Sequence, residues 1–380
     1  MGRVRIFCRT RIAVYRKYCL GRGIDVKNLS LVEVINGIKP LDERKVEEAA
    51  QHLDQLTKPP GSLGRLEEVA KQLAGIRGEV KPELGRKAVI VMAGDHGVCE
   101  EGVSAFPAEV TPQMVLNFLH GGAAVNVLSR HTGADVVCVD IGVNAELEHQ
   151  SLYSRKVRYG TANMAKGPAM TREEAERAVM VGVELVAELV GQGYGLFATG
   201  EMGIGNTTAS AAILAVLGGA DVVSAAGRGT GIDDARLQHK QAVIRRALEV
   251  NEPDAADPLG VLAKVGGLEI AGLVGVILGA AHHRCPVVID GFISSAAALI
   301  AARLAPLSTA YMIASHLSQE QGHARLLEEI GLVPMLRMDM RLGEGTGAVL
   351  AFPLIEAAVK LVKEMATFAD AGVSTGTEEH

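Results

Sequence analysis

Five short apolar runs, each followed by small or polar residues, place the strongest limit on how this chain can fold. The runs cover 88–93, 136–139, 196–198, 287–289 and 310–314. The stretches between them predict helices at 111–119, 171–189, 206–217, 234–248, 268–281 and 319–330. Strands that alternate with helices predict an α/β fold with a mainly parallel, Rossmann-like sheet covered by helices. In such a sheet, functional side chains gather at the carboxyl ends of the strands.

The third run leads into the most informative segment, a predicted strand, tight loop and helix over 194–217. The predicted loop contains three glycines, Gly200, Gly203 and Gly205. Glycines let the backbone approach a ligand closely, and the helix N-terminus near Asn206 favours an anion such as phosphate. Glu201 would repel a phosphate, so we interpret it as a carboxylate that orients another part of the ligand or acts in catalysis. A solvated glutamate in an ordinary glycine-rich turn is the alternative.

Two further glycine-rich turns predict ligand contacts. Glu344 stands between two glycines before a predicted helix over 345–367. Partial burial would bring its pKa toward neutrality and make it a base for a nitrogen nucleophile, whereas a glutamate that merely stabilises the helix N-terminus is the common alternative. The turn at 227–231, with Lys240 downstream, adds a cation that could meet phosphate. Three such turns, two of them with a glutamate, favour a phosphorylated ligand.

The chain also contains a loop suited to a flat ring. Residues 101–107, followed by Gln113, combine small, apolar and hydrogen-bonding side chains, although an ordinary surface loop is the alternative. The eleven histidines lack the spacing of a zinc site, so we expect structural or solvated histidines and no bound metal. No strand end carries the paired acids that bind a magnesium pyrophosphate donor. A glycosyl donor would therefore be a monophosphate, and no cofactor is expected.

Composition excludes several classes of partner. The net charge is −6 and only 3% of residues are aromatic, so we do not expect nucleic-acid binding. The most apolar region, 259–281, is interrupted by Lys264 and Glu269 and falls short of a membrane span. Five scattered cysteines without a C-x-x-C pair indicate a reduced, cytoplasmic protein. We expect the basic residues 1–27 and the tail to His380 to be poorly ordered.

Several motifs together resemble one enzyme family. Helices predicted within 41–56 and 63–76 are joined by a Pro-Pro-Gly turn. This region and five others resemble the nicotinate-nucleotide–dimethylbenzimidazole phosphoribosyltransferase family. The resemblance extends over about 41–374, and the motifs occur in the same order as in the family. The six segments are 53–64, 94–98, 101–107, 200–208, 227–231 and 341–348. The resemblance implies transfer of ribose 5-phosphate from nicotinate mononucleotide to 5,6-dimethylbenzimidazole. The implied products are α-ribazole 5′-phosphate and nicotinate.

The resemblance also implies roles for particular residues. Glu344 would take the N–H proton of the acceptor while its other ring nitrogen attacks C1 of the ribose, and Glu201 would stabilise the developing positive charge. Ser104 and Gln113 would line the benzimidazole pocket. The implied contacts to the ribose phosphate and the rest of the substrate are Gly203, Gly205, Asn206, Thr207, Thr208, Gly229, Lys240, Leu342 and Ser318.

The implied organisation is a homodimer with two domains. A large α/β domain over 87–344 would carry the active site, and a small helical domain would combine 41–86 with about 345–374. Two alternatives to the implied reaction stay open. One is a related phosphoribosyltransferase that accepts a purine or a phenolic acceptor, because the motifs define the ribose phosphate better than the acceptor. The other is a non-catalytic module that binds a phosphosugar.

Overall fold

The computed structural model describes residues 29–229 and 231–374. The basic extension predicted over 1–27 and the end of the tail lie outside these residues. The chain divides into two compact units, one formed by residues up to 39 together with 84–350, the other by 40–83 together with residues from 351 onward.

The large unit contains a six-stranded sheet. Its strands are β1 (Arg86–Gly94), β2 (Asp135–Gly142), β3 (Tyr153–Ser154), β4 (Tyr194–Met202), β5 (Val287–Ile289) and β6 (Met312–Ala314). Their order is β3-β2-β1-β4-β5-β6 and all neighbours are parallel, which confirms the predicted sheet. Strands β2 and β3 follow outward from β1 on one side of the sheet, and β5 and β6 follow outward from β4 on the other side, so β1 and β4 lie at the centre. Ligands of such folds bind at this switch point, outside the carboxyl ends of the two central strands.

Helices account for most of the remaining chain. Within the described ranges they are α1 (Leu31–Gly37), α2 (Glu43–Gln55), α3 (Arg65–Arg77), α4 (Val110–Leu119), α5 (Ala124–Thr132), α6 (Arg172–Gly191), α7 (Asn206–Leu217), α8 (Val222–Ala225), α9 (Asp234–Asn251), α10 (Pro258–Val265), α11 (Leu268–His282), α12 (Phe292–Leu304), α13 (His323–Ile330), α14 (Thr346–Glu364) and α15 (Phe368–Ala371). A short parallel pair, β7 (His316–Leu317) and β8 (Leu336–Arg337), and two 3-10 helices, Gly97–Glu101 and Pro306–Tyr311, complete the regular structure of the described residues. Helices α1, α5, α8, α12 and α15, strand β3 and the β7–β8 pair were not predicted.

The predicted end of β4 was wrong. The strand continues to Met202, and Glu201 pairs in register with Met92 of β1, so Glu201 lies on a strand rather than in a loop. Gly200 does not interrupt the strand. It allows close packing, since a Cβ at that position would lie 2.5 Å from the carbonyl oxygen of Glu344. Helix α7 begins at Asn206 as predicted.

Two other predicted helix starts had different outcomes. The Thr171 hydroxyl caps α6 by accepting the Glu174 N–H, and the Glu174 carboxylate accepts the Thr171 N–H, so a capping box fixes the start of this predicted helix. The helix predicted from Gln319 begins only at His323. The Ser318 N–H donates to the His323 ring and the Ser318 hydroxyl accepts the Glu320 N–H, so these residues form a turn instead.

Helix α11 forms the centre of the large unit. It is buried from Leu268 to Ala281 and packs against α6 and against β1, β2 and β4. Small residues permit this close approach, because a Cβ on Gly275 would overlap the carbonyl group of Val179, and one on Gly182 would overlap that of Gly272. This apolar stretch is therefore a buried helix. Among the described residues, no helix is long and apolar enough to cross a membrane.

In the small unit, α2 and α3 form a helical hairpin around a buried ion pair. Lys58 Nζ lies 2.9 Å from Glu67 Oε1, and both side chains are buried. The Leu63 N–H also donates to this carboxylate at 2.9 Å. Burial opposes the charged form of Glu67, but Lys58 and the N–H donors lower its pKa below its ordinary value. An antiparallel bridge between Leu56 and Thr367 connects the hairpin to the C-terminal segment.

Replacing Gly275 with alanine should destabilise the large unit, because the added Cβ would force α6 and α11 apart. Overpacking of this kind lowers the free energy of unfolding by about 1–3 kcal/mol, which a thermal melt can detect. Gly191→Ala on α6 is the matched control, since a Cβ there meets no atom within 4 Å, and it should not lower stability. Equal stability of G275A and the wild type would contradict the close helix packing.

Candidate active site

The two glutamates singled out in the sequence meet at the carboxyl end of β4. Glu201 is buried, and its carboxylate accepts hydrogen bonds from the Asn206 side chain and from the Glu344 N–H. A Cβ on Gly343 would overlap this carboxylate, so Glu201 packs against bare backbone of the 343–345 turn. The glycine before Glu344 is therefore required by the side chain of the other glutamate.

Burial changes the ionisation of Glu201. Desolvation raises its pKa to about 8, and the negative charges of Glu269 and Asp290 act in the same direction. The hydrogen bonds from Asn206 and Glu344 lower the pKa but do not compensate. Glu201 therefore keeps its proton at neutral pH, whereas the sequence interpretation treated it as a carboxylate.

Glu344 occupies a left-handed backbone conformation with φ of 62°, between Gly343 at 84° and Gly345 at 94°. Such a conformation costs an L-residue about 1–2 kcal/mol, so surrounding contacts must hold it. The side chain is buried, and its Oε2 accepts the Val125 N–H at 3.2 Å, in the first turn of α5. Burial raises the pKa of Glu344, the Val125 N–H lowers it, and Asp290 raises it. The net effect is a pKa above the ordinary glutamate value.

The glycine-rich turn at 227–231 and Lys240 meet the N-terminus of α7. Lys240 is buried, and its Nζ donates to Thr207 Oγ1 at 2.8 Å and to the carbonyl oxygen of Gly227 at 3.2 Å. A Cβ on Gly229 would lie 2.8 Å from Thr207 Oγ1. Desolvation lowers the pKa of Lys240 to about 8, and Glu320 opposes this shift. Thr230, within the turn, lies outside the described residues.

Two adjacent residues of α7 connect Glu201 with Lys240. Asn206 donates to Glu201, while Thr207 accepts from Lys240. The carboxylate and the ammonium group are therefore held from the first turn of one helix, whose first N–H groups have no partner within the helix. This arrangement can bind an anion at the helix N-terminus and a cationic or protic group beside Glu201.

Gly203 and Gly205 shape the loop that leads into α7. A Cβ on Gly203 would lie 3.2 Å from Glu269 Oε1, and Gly205 has a φ of 96° that strongly favours glycine. The Thr208 hydroxyl is buried, with no hydrogen-bond partner for its oxygen within the described part of the chain. Ser318 is buried in the turn before α13, whereas Leu342 is 58% exposed at the edge of the 343–345 turn.

The predicted ring-binding loop is tied to the helix that carries Lys240. The Glu101 carboxylate accepts from Asn163 Nδ2 at 2.7 Å and from Arg246, which belongs to α9. Ser104 is half-buried and its hydroxyl accepts the Phe106 N–H at 3.2 Å. Gln113 is exposed on α4.

Sequence reasoning missed a buried pair beneath the site. His96 Nε2 lies 2.6 Å from Glu269 Oε1, and both side chains are buried. Burial alone would lower the pKa of His96, but the Glu269 carboxylate raises it above its ordinary value. A single buried acid in an apolar helix, here Glu269, needs a buried partner. His96, two residues after the end of β1, was the sequence signal for that partner. Among the described residues, no group of three or more His, Cys, Asp or Glu could hold a metal ion.

The roles of Asp290 and Val125 were also missed. Asp290 follows β5, and its carboxylate accepts N–H groups from the residues after Glu344. Val125 became relevant only because α5 points its first turn at Glu344. The acid after a predicted strand was a signal for Asp290, whereas nothing local in the sequence indicates a role for the Val125 N–H.

Replacing Glu201 with glutamine should change how stability depends on pH. The folded-state pKa of about 8 exceeds the ordinary value of 4.5, so the folded wild type gains stability from this proton at low pH and loses it as pH rises through that interval. Gln cannot titrate. The melting temperature of E201Q relative to the wild type should therefore rise from about pH 5 to pH 9, measured by scanning calorimetry.

If the difference between E201Q and the wild type does not vary with pH, Glu201 is ionised throughout and the raised pKa is wrong.

Comparison with known proteins assigns the chain to a family. The family described as "Phosphoribosyltransferase" matches residues 38–373. The nicotinate-nucleotide–dimethylbenzimidazole phosphoribosyltransferase of Chloroflexus aggregans is 60% identical over 349 residues, which are 92% of this chain and 99% of that protein. The enzyme of the same name from Desulforamulus reducens is 60% identical over 348 residues, 91% of this chain and 99% of that protein.

A solved structure agrees with these relatives. The crystal structure of CobT from Thermus thermophilus is 51% identical, with a TM-score of 0.85, and the match covers 88% of this chain and 100% of that one. Fold, motif order and sequence identity thus lead to the same assignment: the chain belongs to the nicotinate-nucleotide–dimethylbenzimidazole phosphoribosyltransferase family.

Proposed function

We propose that this protein transfers the 5-phosphoribosyl group from nicotinate mononucleotide to 5,6-dimethylbenzimidazole in cobalamin biosynthesis. The products are nicotinate and α-ribazole 5′-phosphate. The observation that carries the proposal is the meeting of Glu201 and Glu344 beside the Lys240–Thr207 contact, in a chain 60% identical to relatives that bear this enzyme name. This transfer needs a carboxylate that stabilises a cationic ring, a base that accepts the proton of an N–H group, and a site that binds phosphate.

The reaction is a displacement at C1 of the ribose. The lone pair of one acceptor nitrogen forms the new N–C1 bond, and the electrons of the old C1–N bond return to the ring nitrogen of nicotinate. The pyridinium ring thereby becomes a neutral pyridine. Glu344 accepts the proton from the other acceptor nitrogen, so charge does not accumulate on the new nucleotide. Its raised pKa suits this task, because a more basic carboxylate holds the proton better.

Glu201 acts on the donor side. The developing positive charge at C1 and the pyridinium ring are stabilised by a nearby carboxylate. A bound cation lowers the pKa of a neighbouring acid, so the cationic ring of the donor would convert protonated Glu201 into its ionised form. The pairing with Asn206 keeps the carboxylate oriented during this change.

The 5′-phosphate binds at the N-terminus of α7. The positive end of the helix dipole, the backbone around Gly203 and Gly229, and the Lys240 ammonium group converge there. A phosphate dianion would raise the pKa of the buried Lys240 again, because an opposite charge favours the charged form. Ser318 would contact the donor, whereas Ser104, Gln113 and Leu342 would form the acceptor pocket.

We further propose a homodimer in the cytoplasm, with the chemistry carried by the large α/β domain and the small helical domain assigned to both chain ends. Family resemblance supports the dimer, and the free thiols of Cys99 and Cys138 are in keeping with a reducing compartment. Light scattering coupled to gel filtration tests the dimer directly.

One assay tests the reaction against its alternatives. Incubating the protein with nicotinate mononucleotide and a panel of bases should release nicotinate rapidly with 5,6-dimethylbenzimidazole and only slowly with adenine or phenol, detected by chromatography of nicotinate and the α-nucleotide. Preference for adenine or phenol would instead identify a transferase with another acceptor. Donor binding without nicotinate release would identify a phosphosugar-binding module.

Replacing Glu344 with glutamine should lower turnover by a factor on the order of 10² or more, while donor binding persists. Gln preserves the shape of the side chain and the acceptor for the Val125 N–H but cannot take the proton. The measurement is kcat alongside calorimetric titration of nicotinate mononucleotide. Glu364→Gln, an exposed change on α14, is the control and should leave both unchanged. Near-normal turnover of E344Q would remove Glu344 from the role of base.

A further inference from the structure

Asp290 is a buried acid that neither the sequence motifs nor the proposed reaction uses. It follows β5 and is only 2% exposed. Its Oδ2 accepts the Gly345 N–H at 3.2 Å and its Oδ1 accepts the Ala348 N–H at 2.9 Å, and the Gly347 N–H faces the same carboxylate. The first N–H groups of a helix have no partner within the helix. Asp290 therefore caps α14 with a side chain from another element.

This cap lies directly beside the strained residue of the site. Glu344 and both its neighbours have positive φ, and a glutamate holds this conformation only when contacts on both sides fix it. On the N-terminal side, the Glu344 N–H donates to Glu201. On the C-terminal side, the Gly345 N–H donates to Asp290. Two buried carboxylates thus hold the two peptide groups that flank the Cα of Glu344.

We propose that Asp290 is a positioning residue for the proposed transfer: its carboxylate holds the 344–348 turn so that Glu344 points at the N-terminus of α5, where the acceptor proton is removed. The inference rests on the proposed function of Glu344 as base. Asp290 does not touch the substrates. Its effect on the reaction passes through the backbone and the charge of Glu344.

The charge of Asp290 also acts on its neighbours. Burial raises the pKa of Asp290 above its ordinary value, and His316 and the N–H donors, which favour the ionised form, offset this only in part. His316 Nδ1 lies 4.0 Å from Asp290 Oδ1. The negative charge of Asp290 raises the pKa of both Glu201 and Glu344, and Glu269 on α11 adds to this effect at Glu201. Removing that charge should therefore lower the pKa of Glu344.

Asp290→Asn is the sharpest test, because it keeps the side-chain volume but removes the charge and sets an NH2 group against one backbone donor. We expect kcat to fall about 10²-fold, with the affinity for nicotinate mononucleotide within about threefold of wild type by calorimetry. The acidic limb of the kcat–pH profile should move to lower pH. Ser308→Ala is the control, since it also removes a buried polar group, whose hydroxyl donates to the backbone oxygen of Ala301 at 3.3 Å, and it should keep the wild-type rate and profile.

A double variant tests whether Asp290 acts through Glu344. In the E344Q background, D290N should lower the residual rate by less than about threefold, because residues that act as a unit are not additive. Hydrogen exchange of the residue 345 and 348 amides should be faster in D290N than in the wild type.

The other outcomes separate the two proposals. A wild-type protein that releases no nicotinate overturns the proposed function, whatever D290N does. With an active wild type, three results overturn the positioning role: D290N turns over normally, it loses donor affinity as much as turnover, or it fails to fold, since a cap needed for folding is a general structural element. Full additivity of the D290N and E344Q effects would also overturn the positioning role.

Discussion

Buried carboxylates at the ends of neighbouring parallel strands are the constraint on which the rest of the structure depends. Glu201 belongs to β4 and Asp290 follows β5, and water reaches neither of them freely. A buried acid is costly unless hydrogen bonds satisfy it. Here the donors are backbone N–H groups of the 343–348 turn. Residues 343–345 all have positive φ, a conformation that glycine adopts without strain, and this accounts for the glycines on both sides of Glu344.

The same burial gives the site its electrostatic character. It displaces the pKa of Glu201 upward and that of Lys240 downward, each to about 8. Neither group is screened by solvent, so a ligand that brings the opposite charge acts on it strongly. A nucleotide with a cationic ring at one end and a phosphate at the other complements both groups. Asn206 and Thr207, adjacent in α7, keep the two groups at a fixed separation.

Much of this could be read from local patterns. Alternating apolar runs and helices predicted the parallel sheet, and the glycine turns around Glu201, Gly229 and Glu344 predicted a phosphate-binding site. The end of β4 was placed too early because a glycine in an apolar run normally signals a break. Gly200 has another purpose, since it lets the backbone of Glu344 pass close to the strand. Glu344 is remote from Gly200 in the sequence, so no local pattern around residue 200 indicates this contact.

The sequence by itself determined the fold class and the family, because periodicity, turn residues and motif order are properties of the linear chain. The tertiary structure alone decided that β1 lies beside β4, that the N–H of Val125 meets Glu344, and that Asp290 caps the turn after it. It also decided which acids keep a proton. A pKa depends on burial and on charges that come from several distant segments, and only the folded chain brings those segments together.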